Sequence, residues 1–156
     1  MSRPWLPRAR KSFVISLIGS WMAFSAVRAD AGPQPIALGE VTTRVTRDGL
    51  DLPGAFRDAV VTELERVELH GAKKHERMVV SASLVRLDTE TRAGRARTTC
   101  VVSATLRKAQ GGALVAVLQG RARAEDSASQ TPANELAALR AAVRSAVRGI
   151  PTAVRS

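Results

Sequence analysis

The chain has 156 residues, and its 24 lysines and arginines against 14 aspartates and glutamates give a formal charge of +10. Taken whole, that balance points to nucleic acid or an anionic surface as partner. The placement of the charges changes this reading, because much of the excess is gathered at the amino terminus.

Arg3, Arg8, Arg10 and Lys11 precede an uncharged run from Ser12 to Val27, followed by Arg28-Ala29-Asp30-Ala31-Gly32-Pro33. A basic block, an apolar stretch and a small-residue boundary form the pattern of a secretory signal. The uncharged run is 16 residues long, short of the ~20 that a membrane-spanning helix needs. Val27 and Ala29 occupy the minus-three and minus-one positions of a cut at Ala29/Asp30, so residues 1–29 are expected to be a cleaved signal peptide. A buried apolar helix is the competing reading, and the basic block directly before the run argues against it. With no cysteine near the boundary, a lipid-anchored form of the bacterial kind is not expected. The expected location is the periplasm or the medium.

Removal of residues 1–29 leaves 19 basic and 14 acidic residues, a charge of +5. It also takes away Trp5, Phe13, Trp21 and Phe24, so Phe56 becomes the only aromatic residue of the remainder. Base stacking needs aromatic platforms, and nucleic acid is therefore not an expected partner. Cys100 is the only cysteine, so no internal disulfide can form. It falls on the apolar side of an alternating stretch, where a small buried residue is the simpler reading and a reactive or intermolecular thiol the alternative.

Residues 30–35 read as a flexible leader, residues 36–151 as a single domain, and residues 152–156 as a carboxy-terminal tail. Ile36 to Thr46, with Val41, Thr43 and Val45 on one side, predicts a first strand that ends at the turn signal Asp48-Gly49. A helix follows, capped by Asp51, with Pro53 in its first turn, a stripe of Phe56, Val60, Leu64 and Val67, and Gly71 as its stop. Three alternating segments come next: Met78 to Arg86, Ala96 to Leu106 and Leu114 to Ala124, whose even-numbered residues form one apolar face. Asp88 to Arg95 is expected as a loop, and Lys108 to Gly112 as a short hairpin connection. Thr131-Pro132 opens a last helix that turns Leu136, Leu139, Val143, Val147 and Ile150 inward and is closed by Gly149 and Pro151. The sum is an α+β domain: an antiparallel meander of about four strands with two helices packed mainly on one face.

The runs VVSASLVRL (Val79 to Leu87) and TTCVVSATLRKAQGGALVAVLQGRA (Thr98 to Ala122), followed by an alanine-rich helix, resemble the small β-α-β-β-β-α modules of bacterial envelope proteins. The amino-terminal domain of TolB and the curli-secretion type of lipoprotein are of this kind. The resemblance spans Ile36 to Ile150, and it implies a binding or assembly module with no catalytic residues to carry over. The lipid-bearing cysteine of the lipoprotein members has no counterpart in this chain.

No motif for catalysis, metal or nucleotide binding emerges. His70 and His75 flank Lys73 and Lys74, whose charges oppose a bound cation. There is no Gly-x-Ser-x-Gly elbow, and the pairs Asp88/Glu90 and Glu125/Asp126 fall where carboxylates are solvated. No cofactor is expected. The odd-numbered sheet face is less polar than a wetted face needs to be, since it carries Val79, Val85, Val101, Val115 and Val117. A register that sets Arg107 opposite Ala113 also sets Ser103 opposite Val117, Thr99 opposite Arg121 and Arg97 opposite Arg123. Like charges across from each other are unfavourable unless an anion or a partner relieves them. Arg97, Val101, Val117, Arg121 and Arg123 are thus the candidate binding face, with a solvated face as the plainer reading. An exported, non-catalytic binding or assembly module of the bacterial envelope, with a protein or anionic envelope partner and no membrane span after cleavage, is the expected function. A secreted inhibitor or structural protein, and then an enzyme without a recognisable motif, are the alternatives.

Overall fold

The computed structural model describes residues 36–69 and 77–155. The expected signal peptide 1–29, the leader 30–35, Gly71, and the histidines His70 and His75 lie outside the described residues.

The elements follow in the order β1 (Ile36–Thr43), α1 (Leu52–Leu64), β2 (Met78–Arg92), β3 (Arg95–Lys108), β4 (Leu114–Ser127), a single 3₁₀ turn (Ala128–Gln130), α2 (Thr131–Val147) and α3 (Ile150–Arg155). The four strands form one open sheet in the order β1-β2-β3-β4. This corrects the all-antiparallel meander: β2, β3 and β4 form one, but β1 runs parallel to β2. The cause is the connection. A helix between two neighbouring strands carries the chain back along the sheet, so the second strand starts from the same end as the first.

Local chemistry sets the helix starts. The Asp51 carboxylate accepts from the Gly54 amide at 3.0 Å, and Pro53 occupies a first-turn position where its missing N–H costs nothing. In α2 the expected cap moves by one residue. Thr131 is the first helical residue, and its hydroxyl donates to the Ala128 carbonyl at 2.8 Å, closing the 3₁₀ turn below it. Pro151, expected as a stop, instead stands in the first turn of α3.

Across β2, β3 and β4, two bulges and one tight turn decide which side chains face inward. β2 and β3 continue well beyond the expected loop and join through Ala93-Gly94, with φ of 50° and 75°. Two successive positive φ values give the turn type whose twist matches paired strands. The pairing shifts between Leu84↔Val102 and Arg86↔Val101, which leaves Val85 as an extra residue. Alternation therefore changes phase: before the bulge Met78, Val80, Ala82 and Leu84 point inward, and after it Leu87 does. A second bulge makes Val115 the extra residue between Leu106↔Ala116 and Arg107↔Leu114.

The core lies between the inward sheet face and the helices. Phe56 and Val60 of α1 and Leu139, Val143 and Ile150 near the carboxy terminus meet Leu84, Leu87, Cys100, Val102 and Leu106. Each such large side chain contributes about 1.5–3 kcal/mol on burial. α2 approaches β4 closely because both surfaces are small: Ala142 and Ala146 face a sheet position occupied by Gly120. A Cβ on Gly120 would lie 1.9 Å from the Ala142 carbonyl oxygen.

Candidate functional site

The outer sheet face carries the side chains that alternate with the core residues, and the register orders them into rows across β2, β3 and β4. From the Ala93-Gly94 end these rows are Glu90–Arg97–Glu125, Asp88–Thr99–Arg123, Arg86–Val101–Arg121, Ser83–Ser103–Gln119 and Ser81–Thr105–Val117. Successive rows stand ~7 Å apart, twice the rise per strand residue.

The hairpin turn, which sets Arg107 opposite Leu114, and the bulge at Val115 each shift β4 by one residue, two in all, relative to the expected register. Arg97 consequently stands opposite Glu125, not Arg123, and Arg123 stands opposite Thr99. The anticipated clash of like charges does not exist. Arg97 donates to Glu125 through Nε at 3.1 Å, and Arg95 donates to the same carboxylate at 2.8 Å. These two guanidiniums, Arg97 first, hold the Glu125 carboxyl below the usual glutamate range. The end row is therefore satisfied within the fold.

Of the five anticipated face residues, Val101, Arg121 and Arg123 come together. They line a shallow depression of about 490 Å³ with Val85, Arg86, Thr99, Gln119 and Ala122. Arg97 is one row beyond it, committed to Glu125. Val117 is two rows away from Arg121 at the opposite end, with 63% of its surface exposed. Val85 stands on the outward face, as its odd-numbered position predicts; Arg86 was not anticipated there, because only the β2 bulge turns it outward, and nothing in a strictly alternating pattern signals a bulge. Arg86 is paired with Asp88 on its own strand. Arg121 and Arg123 have no ion pair among the described residues.

Near the start of α2 a polar network lies on the inward side. Asn134 and Glu135 are buried, each 5% exposed, and Thr98 is fully buried. The Asn134 amide donates to the carbonyls of Ala96 and Ala124 at 3.0 and 3.2 Å, tying α2 to two neighbouring strands. Glu135 accepts from the Thr89 hydroxyl at 2.8 Å and from Arg47 at 3.2 Å, and Arg47 also reaches the Leu87 carbonyl. Every donor here has a partner within the fold, so the network fixes the helix end and the loop after β1 rather than offering groups to a ligand.

A second hollow of about 540 Å³ lies between α1 and α2, with Leu50, Ala55, Ala59 and Leu136 among its lining. On its rim Glu63 accepts from Arg66 and from Arg144 at 3.1 Å each, and Asp58 and Arg140 place one charge of each sign beside them. Cys100 is a free, fully buried thiol, and burial pushes its pKa up to about 12. A thiolate is the nucleophilic form, so this cysteine is inert in the folded chain. Among the described residues no three of His, Cys, Asp and Glu are grouped to hold a metal ion, and no helix is long and apolar enough to cross a membrane.

No family model matches the chain, and no curated protein matches it either. Solved structures do share its architecture. A hypothetical protein from Chlamydia trachomatis is 11% identical, with 76% of this chain and 96% of that one covered and a TM-score of 0.53. A minor lipoprotein from Acinetobacter baumannii is 10% identical, with 76% and 94% covered and a TM-score of 0.49. At such identities the likeness to the Chlamydia protein is one of fold alone: the same arrangement of strands and helices is adopted by a very different sequence.

Proposed function

We propose that the protein is an exported binding or assembly module of the bacterial cell envelope that engages its partner through the outer sheet face. The observation that carries this reading is the division of the sheet: α1 and α2 cover the inward face, while the outward face presents the depression around Val101 with Arg121 and Arg123 on its rim. An open α+β layer of this kind offers a flat, rigid platform, and a platform edged by cations suits binding better than chemistry. The envelope address rests on the amino-terminal sequence, where a basic block, the Ser12–Val27 run and Ala29 form an export signal. The β-α-β-β-β-α order, kept in the fold, fits the resemblance to small envelope modules.

Two measurements test it. Expression of the full chain in a bacterial host should yield an osmotic-shock fraction in which the protein begins at Asp30; retention of residues 1–29 would make it a membrane-anchored domain instead. A photo-crosslinking residue placed at Gln119, inside the depression, should capture an envelope component, while the same residue at Arg148 on α2 should not. Equal capture at both positions, or none at Gln119, would overturn the assignment of the face.

A further inference from the structure

We infer that the partner group seated in the Val101 depression is an acidic segment of a protein, carrying two carboxylates on one face, at i and i+2 of an extended segment or i and i+4 of a helix, with an apolar side chain next to them on that same face. This rests on the proposed role of the outer sheet face and specifies its ligand. Three guanidiniums, Arg86, Arg121 and Arg123, surround a floor of Val101 and Thr99, with Val85 beside them. Asp88 occupies Arg86, which leaves Arg121 and Arg123 as the cations available to a ligand.

Those two arginines are separated by one residue on the same face of β4, so their stems leave the strand ~7 Å apart. Carboxylates at positions i and i+2 of an extended segment have the same spacing, and those at i and i+4 of a helix come close to it at ~6 Å. The fold already contains this recognition on the same face, in the cross-strand contact of Arg97 and Arg95 with Glu125. The arginine fork matches a carboxylate with two parallel hydrogen bonds.

The valines choose among anionic partners. Val85 is 57% exposed and stands between the arginines and the serine-rich middle of the face, so a ligand that satisfies the site brings apolar contacts as well as charge. A protein segment does so, whereas inorganic phosphate does not. A sugar or a nucleobase would be held by aromatic stacking, and the one aromatic residue after residue 29, Phe56, is fully buried. A planar bilayer reaches the rim of a depression but not its floor.

The test measures binding of the purified protein to four probes: the decapeptide Glu-Ser-Glu-Ser-Val-Ser-Glu-Ser-Glu-Ser, whose glutamates and valine share one face when extended, its glutamine counterpart, inorganic phosphate, and phosphatidylglycerol vesicles. The glutamate peptide should bind in a salt-sensitive manner. Its affinity should fall at least tenfold in the double variant R121S/R123S and stay within twofold in R140S/R148S on the helix side, with all variants sharing one circular dichroism spectrum. Equal binding of the glutamine peptide, or preference for phosphate or vesicles, would overturn the inference. If the glutamate peptide fails while Gln119 still crosslinks to an envelope component, the face is a binding surface for another chemistry; if both fail, the functional reading falls with it.

Discussion

Arg97 and Glu125 stand directly across from each other on β3 and β4, and their 3.1 Å contact removes Arg97 from the surface available to a ligand. Because Arg95 shares the carboxylate, Glu125 should titrate below the ordinary glutamate value of about 4.3. Carbon-detected NMR of the side-chain carboxyl measures this. R97A should raise the midpoint more than R95A does, since Arg97 contributes the larger part of the lowering. A carboxyl whose folded pKa is depressed stabilises the fold above its unfolded pKa, and that contribution is lost as pH falls through the folded pKa. An unshifted Glu125 in the wild type would contradict the register described here.

Gly120 is the point where α2 rests on β4. An added methyl group would meet the Ala142 carbonyl oxygen at 1.9 Å and the Ala146 amide nitrogen at 2.6 Å. Both are backbone atoms, so the helix must move as a unit. G120A should therefore lower the unfolding free energy by about 1–3 kcal/mol, the usual cost of overpacking. Q119A, next door on the open face, should stay within about 0.5 kcal/mol. Urea melts of the two variants make the comparison, and a neutral G120A would show that α2 does not sit where it is described.

Asn134 links α2 to the carbonyls of Ala96 and Ala124 and to the Thr98 hydroxyl. N134A takes the side-chain donor from the two buried carbonyls, while the Thr98 hydroxyl keeps its contact with Thr89. A loss of about 1–3 kcal/mol is expected, the penalty for unsatisfied buried polar groups. An unchanged urea midpoint would mean that water replaces the amide.

Cys100 should resist Ellman's reagent in the native protein and react fully in denaturant, because its thiol is buried and its pKa is raised to about 12. Rapid modification under native conditions would contradict the packing of β3 against the core.

Much of this molecule was legible in advance because its periodicities are clean. The even-numbered inward face of Ala96 to Leu106, the Asp51 cap and the inward residues Leu139, Val143, Val147 and Ile150 all appear in the fold. Three features were hidden, each for a physical reason. The parallel pairing of β1 with β2 depends on the path of α1 through space. The bulges at Val85 and Val115 each insert one residue without altering composition, yet each changes which residues meet, and the second, together with a hairpin turn one residue longer than expected, sets Arg97 opposite Glu125 in place of Arg123. Asn134 and Glu135 give no apolar signal in sequence, and the tertiary partners Ala96, Ala124, Thr89 and Arg47 make their burial tolerable. The candidate face therefore kept its position along the sheet while its membership changed: Arg86 and Val85 join Val101, Arg121 and Arg123, and Arg97 and Val117 lie outside the depression.

The outer sheet face as the partner surface is the central claim, and retention of the purified protein on washed envelope fractions tests it most directly. Two double variants remove the same charge from opposite sides of the domain: R121S/R123S from the sheet face and R140S/R148S from α2. Retention of the sheet-face variant should fall at least tenfold, while the helix variant is retained like the wild type. Equal retention of both variants would contradict the account.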